Sequence, residues 1–158
     1  MKAISLWQPW ASAMALGLKH IETRHWETRY RGPIAIHAAK RWTLEERSFA
    51  ADQAKLYGIP MLASPPLGSI VAVGFLERII TTPAAQSFIS EMEEDWGNYA
   101  PQRFAWMFKD IQPLPEPIPY KGAQGIFFVP DDLKQIPALS LPAPAPPRVP
   151  PQRDLFGA

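Results

Sequence analysis

The residues with the densest potential for chemistry are Lys19, Glu22, Arg24 and Trp26, inside the run Gly17-Leu18-Lys19-His20-Ile21-Glu22-Thr23-Arg24-His25-Trp26. In an extended segment alternate side chains share a face, so Glu22, Arg24 and Trp26 point together. A carboxylate can orient or deprotonate a water, a lysine can hold an anion or, in a partly desolvated cleft, lose its proton, and an indole can stack on a base. The plainer reading of a carboxylate beside a guanidinium is a structural ion pair. A Glu close to Lys19 favours the charged lysine and works against a nucleophilic role. As a binding set, Lys19 and Arg24 suit phosphate, and Glu22 accepts from an exocyclic amine.

Other chemistries find little support. The chain of 158 residues has no cysteine, which removes disulfides, thiolate metal ligands and thiol catalysis. His20, His25 and His37 show neither H-x-x-x-H nor H-E-x-x-H spacing, so neither a metal nor any other cofactor is expected. His37, followed by Lys40 and Arg41, reads as a hydrogen-bonded strand end or a polar wall of a cleft. Ser5, Ser12 and Ser64 lack a nucleophile-elbow context, and no glycine-rich phosphate loop occurs. Net charge is +1, but residues 1–60 carry nine Lys or Arg against five acids, which suits a polyanion on one face as well as an ordinary solvated surface. The six tryptophans divide between core and cleft, with Trp106 in an apolar strand expected inside and Trp26 among charges expected in the cleft.

The elements that must position these groups are legible in part. Lys2 to Leu6 reads as a strand; Gln8-Pro9 opens a helix that Gly17 stops; His20 to Trp26 is extended; Pro33 to Ala38 is a strand. Thr43-Leu44-Glu45-Glu46 is a capping box for a helix ending at Gly58. Ser69 to Thr82 is the longest strand, Gln86 to Trp96 looks helical, Arg103 to Lys109 and Gly125 to Val129 are further strands, and Pro113 to Pro119 reads as an extended connection. The pattern predicts an α+β fold around a small barrel with two or three helices. The longest apolar runs, such as Ile70 to Leu76, are strand-length and no leader is evident, so no membrane span and a cytoplasmic location are expected.

Of 19 prolines, seven fall between Pro137 and Pro151, in a nearly uncharged stretch. The boundaries expected are a folded domain over 1–136 and a disordered proline-rich tail over 137–158, extended as polyproline II.

The segment SLWQPWASAMALGLKHIETRHWETRYRGPIAIHAAK resembles the opening of an ASCH domain, through its Q-P-W helix start, G-x-K-x-x-E-x-R and R-G-P-I-x-I-H. Later pieces agree in order: G-x-I-V-x-V over Gly68 to Val73, F-A-W over Phe104 to Trp106, and I-P-x-K-G-x-Q-G over Ile118 to Gly125. The resemblance runs from Lys2 to about Pro130. It implies a PUA-like mixed β-barrel with a cleft beside the first helix, and a partner that is RNA, single-stranded DNA or a modified nucleoside. The cleft is expected to be lined by Lys19, Glu22, Arg24 and Trp26, with Gln8, Trp10, His37, Lys40 and Gln124 as second-rank candidates for its lining. Some relatives are hydrolases, one branch acting on N4-acetylcytidine and another described as a ribonuclease. In the amidohydrolase branch the motif is G-x-K-x-x-T, with lysine and threonine catalytic and a later glutamate assisting. Lys19 matches that lysine, Glu22 stands where the threonine would be, and the assisting glutamate corresponds to one of Glu91, Glu93 or Glu94. Catalysis through Lys19 and Glu22 and simple binding are both open, with binding favoured because the threonine hydroxyl is missing.

The tail ends in Gln152-Arg153-Asp154-Leu155-Phe156, which resembles the Q-L-S/D-L-F peptide that docks on the bacterial DNA sliding clamp, with Arg153 in place of leucine. Gln152 would bond at the rim of the clamp pocket, Asp154 matches the acidic option, and Leu155 and Phe156 would fill the pocket. A tether of some fourteen residues would reach on the order of 40 Å.

Overall fold

The computed structural model describes residues 1–131. The expectations for 137–158, including Gln152, Asp154, Leu155 and Phe156, lie outside the described residues.

The expected α+β architecture is present: among the described residues a curled six-stranded sheet, a half-barrel, is flanked by four α-helices. The strands are β1 (Lys2–Leu6), β2 (Ile21–Arg24), β3 (Gly32–Ala38), β4 (Ser69–Thr81), β5 (Phe104–Pro119) and β6 (Ile126–Phe128). Their order is β2-β5-β4-β3-β1-β6, with β1 and β3 parallel and every other pair antiparallel. The helices are α1 (Trp10–Ala15), α2 (Leu44–Tyr57), α3 (Thr82–Gln86) and α4 (Glu91–Asp95). Among the described residues no helix is long and apolar enough to cross a membrane.

Local chemistry accounts for the helix ends. The Glu46 carboxylate reaches back to the Thr43 N–H at 2.8 Å and so closes the start of α2, while Gly58 ends it in the left-handed region at φ 64°. Of the stretch expected as one helix over Gln86 to Trp96, only Glu91–Asp95 forms a helix: α3 ends at Gln86, and Ser90 starts α4 afresh, its hydroxyl accepting from the Glu93 N–H at 3.2 Å.

Alternation along the strands feeds two faces. Ile4, Leu6, Ile34, Ile36 and Trp106 pack under α1 around Met14, whereas Ala3, Ala35, Ile70 and Val73 pack with Leu114 and Val129 on the opposite side. β5 runs longer than expected. The prolines at 113, 115, 117 and 119 belong to it, and β4 pairs with that half (Ala72 with Pro113, Ile70 with Ile118, Ser69 with Pro119) across a shift of register. β2 pairs only with Phe104 to Met107, so among the described residues no strand covers the other side of the proline half.

Candidate functional site

Because β2 and β6 are the two ends of the strand order, the half-barrel leaves a seam between them. A cleft of about 800 Å³ occupies this seam, a size usual for small-molecule and nucleotide sites. Glu22 to Trp26 wall one side, Ala123 to Gly125 the other, Trp10 and Trp96 the back, and Trp7 stands at the rim.

The structure brings together Trp10, Lys19, Glu22, Arg24, Trp26 and Gln124 in this lining. Lys19 is only 1% exposed. Its Nζ donates to the Ile21 carbonyl and to the Trp96 carbonyl at 3.1 Å, and lies 3.3 Å from Glu22 Oε2. Three acceptors around one nitrogen match the three N–H bonds of an ammonium ion. Glu22 is shared, since its Oε1 lies 3.8 Å from Arg24 Nε. Arg24 donates from Nη2 to the Ser5 carbonyl at 2.6 Å, strapping β2 to β1 across the seam, while its Nε has no hydrogen-bond partner among the described residues. The guanidinium also lies 5.8 Å from the Trp26 ring centroid and 5.9 Å from that of Trp106. Trp26 stands edge-on to Trp106 at 4.7 Å, and the Trp106 indole N–H donates to the Trp26 carbonyl at 3.1 Å. Trp106 is fully buried and Trp26 half-buried in the cleft wall, which is the division the sequence suggests.

These charged groups also do the hydrogen bonding that a further strand beside β2 would do. Lys19 holds the Ile21 carbonyl and Arg103 Nη2 the Thr23 carbonyl at 2.9 Å. Glu93 accepts from the His20 N–H at 2.5 Å and the Ile21 N–H at 3.3 Å. Of the three glutamates considered, Glu93 is therefore the buried one tied to the Lys19 segment, while Glu91 and Glu94 are exposed.

Gln8, His37 and Lys40 lie outside the lining. Gln8 is buried and staples the start of α1, donating to Ser12 Oγ at 2.7 Å and the Pro66 carbonyl at 2.8 Å, and accepting from the Ser12 N–H at 2.9 Å. The Lys40 stem crosses the backbone at Gly68, where a Cβ would come within 2.8 Å of it. His37 is buried, with Nδ1 2.7 Å from Ser5 Oγ and Nε2 2.7 Å from the Tyr120 carbonyl. A carbonyl only accepts, so Nε2 carries the proton and Nδ1 accepts the Ser5 hydroxyl. Burial holds the His37 pKa below its ordinary value, against a smaller opposing push from the Tyr120 carbonyl. His37 thus pins the loop that carries Gln124 to the cleft.

The residues missed by sequence reasoning are Thr23, which lines the cleft from β2, and Trp96, Asn98 and Arg103, which line it from the segment before β5. Only the pairing of β2 with β5 brings that segment to Lys19, and nothing in its local pattern marks it. Tyr99, buried beneath it, keeps its phenol protonated: burial raises its pKa most, and the charges of Glu93, Glu22 and Glu94 add to that. Among the described residues no cluster of His, Asp and Glu could hold a metal ion.

The family model of the ASCH domain matches residues 4–115. Among solved structures, the ASCH protein from Zymomonas mobilis is 20% identical, with a TM-score of 0.52 over 83% of this chain and 88% of that one. Two mutant forms of the same Zymomonas mobilis protein give TM-scores of 0.52 and 0.51 at 20% identity, covering 82% of this chain and 90% and 88% of theirs. At that identity the likeness is one of fold. No curated protein matches the chain.

Proposed function

This chain belongs to the ASCH domain family, within the PUA-like superfamily, and from that premise we propose that it binds nucleic acid or a modified nucleoside in the seam between β2 and β6. The fold is one typical of nucleic-acid-binding proteins. The observation that carries the reading is the enclosure of Lys19. With its ammonium committed to two backbone carbonyls and Glu22, it is spent on holding β2, and the groups left to face a ligand are a carboxylate, a guanidinium N–H and an indole. Glu22 accepts from an exocyclic amine, the guanidinium of Arg24 donates to a ring nitrogen or a carbonyl, and Trp26 lies against a base. Asn98 and Arg103 on the same wall supply polar and cationic contacts to a sugar or phosphate.

Titration of labelled single-stranded RNA, single-stranded DNA and nucleosides, followed by anisotropy or calorimetry at two salt concentrations, tests this. Affinity should fall with salt for the oligonucleotides and should weaken in Arg24→Ala and Glu22→Gln. No binding of any of them at low salt refutes the reading.

A hydrolase acting on RNA or an acylated nucleoside in the same cleft is the second reading, favoured by the position of Glu22 at the wall, where a carboxylate can take a proton from water. It requires turnover that Glu22→Gln abolishes while binding persists. Recruitment to a bacterial sliding clamp in the cytoplasm rests on Gln152, Asp154, Leu155 and Phe156 alone. A tail peptide carrying Phe156→Ala that binds a clamp as well as the native peptide refutes it.

A further inference from the structure

Trp7 is 51% exposed, an unusual position for the largest apolar side chain. It is nevertheless held. The Arg41 guanidinium lies 3.9 Å from the centroid of its ring, close enough for cation–π stacking. Arg41 is itself fixed, because its Nε donates to Glu46 Oε1 at 2.5 Å, and the Glu46 side chain is 4% exposed and bound to the start of α2 through the Thr43 N–H. A buried carboxylate therefore anchors an arginine that props a tryptophan upright in solvent at the rim of the cleft. Among the described residues only Nε of Arg41 is engaged, so its two terminal NH2 groups remain to hold an anion. An indole with one face supported and the other open, next to unused guanidinium donors, is what one nucleotide unit needs: a surface for its base and hydrogen-bond donors for its phosphate.

We infer that Trp7 and Arg41 form a second nucleotide subsite at the rim of the cleft, so that the ligand is a single strand of at least two nucleotides rather than a lone nucleoside. The inference rests on the cleft reading above and narrows it. A base in the cleft leaves its neighbour at the rim, where Trp7 takes the base and Arg41 the linking phosphate. A structural explanation of the pair does not account for its exposure, since the same bonds from Glu46 would hold Arg41 without an indole above it.

The probes are a mononucleotide and a tetranucleotide of the same base, each as RNA and as DNA, titrated against the wild-type chain, Trp7→Ala and Arg41→Ala. The wild type should bind the tetranucleotide at least about tenfold more tightly than the mononucleotide, a modest return for one additional stacked base. Trp7→Ala should bring the tetranucleotide down to the affinity of the mononucleotide, and Arg41→Ala should in addition flatten the salt dependence. Trp7 is exposed, so a thermal melt of Trp7→Ala superimposing on the wild type shows that the fold is intact. Equal affinity of the wild type for the two probes, or Trp7→Ala weakening both by the same factor, overturns the second subsite and leaves the cleft standing. No binding of either probe overturns the cleft reading and the subsite together. The RNA and DNA arms identify which strand is the ligand.

Discussion

Replacing Lys19 by methionine separates a lysine that holds the fold from one kept for chemistry. Methionine has nearly the same length and no donor, so Lys19→Met removes the N–H bonds to the Ile21 and Trp96 carbonyls and the nearest cation to Glu22 while filling most of the space. A buried acceptor left without a partner costs about 1–3 kcal/mol, and breaking a buried ion pair from one side costs about 3–5 kcal/mol. Glu22 retains 16% exposure and Arg24 at 3.8 Å, so the electrostatic share falls short of that range and a total of about 3 kcal/mol is expected. For a domain of this size that corresponds to a fall in Tm of roughly 10 °C. Thermal melts by circular dichroism at pH 7, with urea titrations to check that the slope is unchanged, measure it. Glu22→Gln should cost about 1 kcal/mol, and the double variant should be less destabilised than the sum of the two, because the carboxylate left unpaired in Lys19→Met is then absent. A Lys19→Met protein that melts within about 2 °C of the wild type would refute the reasoning, and would mean that the lysine is held in reserve for the ligand.

Three further outcomes follow from contacts described above. His37 is buried neutral with a lowered pKa, so the stability it confers is fully present above about pH 6.5 and is lost as the pH falls through its folded pKa; melts from pH 7.5 to 5 should show this loss, and His37→Gln should flatten it. Burial alone would raise the Glu46 pKa, but the hydrogen bonds from Arg41 and the Thr43 segment, with the charge of Arg41, hold it below the ordinary value; its contribution is present above about pH 4.5, is lost as the pH falls through its folded pKa, and should be missing from the acid limb in Glu46→Gln. Gly122→Ala would put a Cβ 2.5 Å from His37 Cε1 and 2.6 Å from Ser5 Oγ, so a loss of about 1–3 kcal/mol is expected by melting, together with weakened ligand binding through the displaced Gln124 loop.

The parts of the site that lie on one extended segment were open to the sequence, since alternation alone sets Glu22, Arg24 and Trp26 on one wall. Alternation does not tell where a chain comes from across a gap. Trp96 reaches Lys19, and Arg103 reaches Thr23, through a pairing between residues some eighty positions apart, and Trp7 looks like any aromatic of a motif until Arg41 is seen beneath it. Gln8 and His37 were legible as polar residues in a motif, and what they do depends on neighbours such as Pro66 and Tyr120 that local pattern cannot supply. The proline half of β5 was read as a connection because proline lacks the ladder donor, yet at alternate positions the missing donors can all fall on the side that has no neighbour.

That arrangement of prolines has a bearing on how the protein behaves at high concentration. An open row of backbone groups invites a second copy to add a strand and a sheet to grow from molecule to molecule. Along the lower half of β5 the row has no donors at four positions, and along β2 the outward groups are already taken by Lys19, Arg103 and Glu93. What remains among the described residues is the three-residue strand Ile126–Phe128, too short a template for stable growth. The half-barrel can thus keep its seam open to a ligand and still stay dispersed, and substitutions that restore donors, such as Pro115→Thr with Pro117→Thr, should make it aggregate at concentrations the native chain tolerates, as light scattering would record.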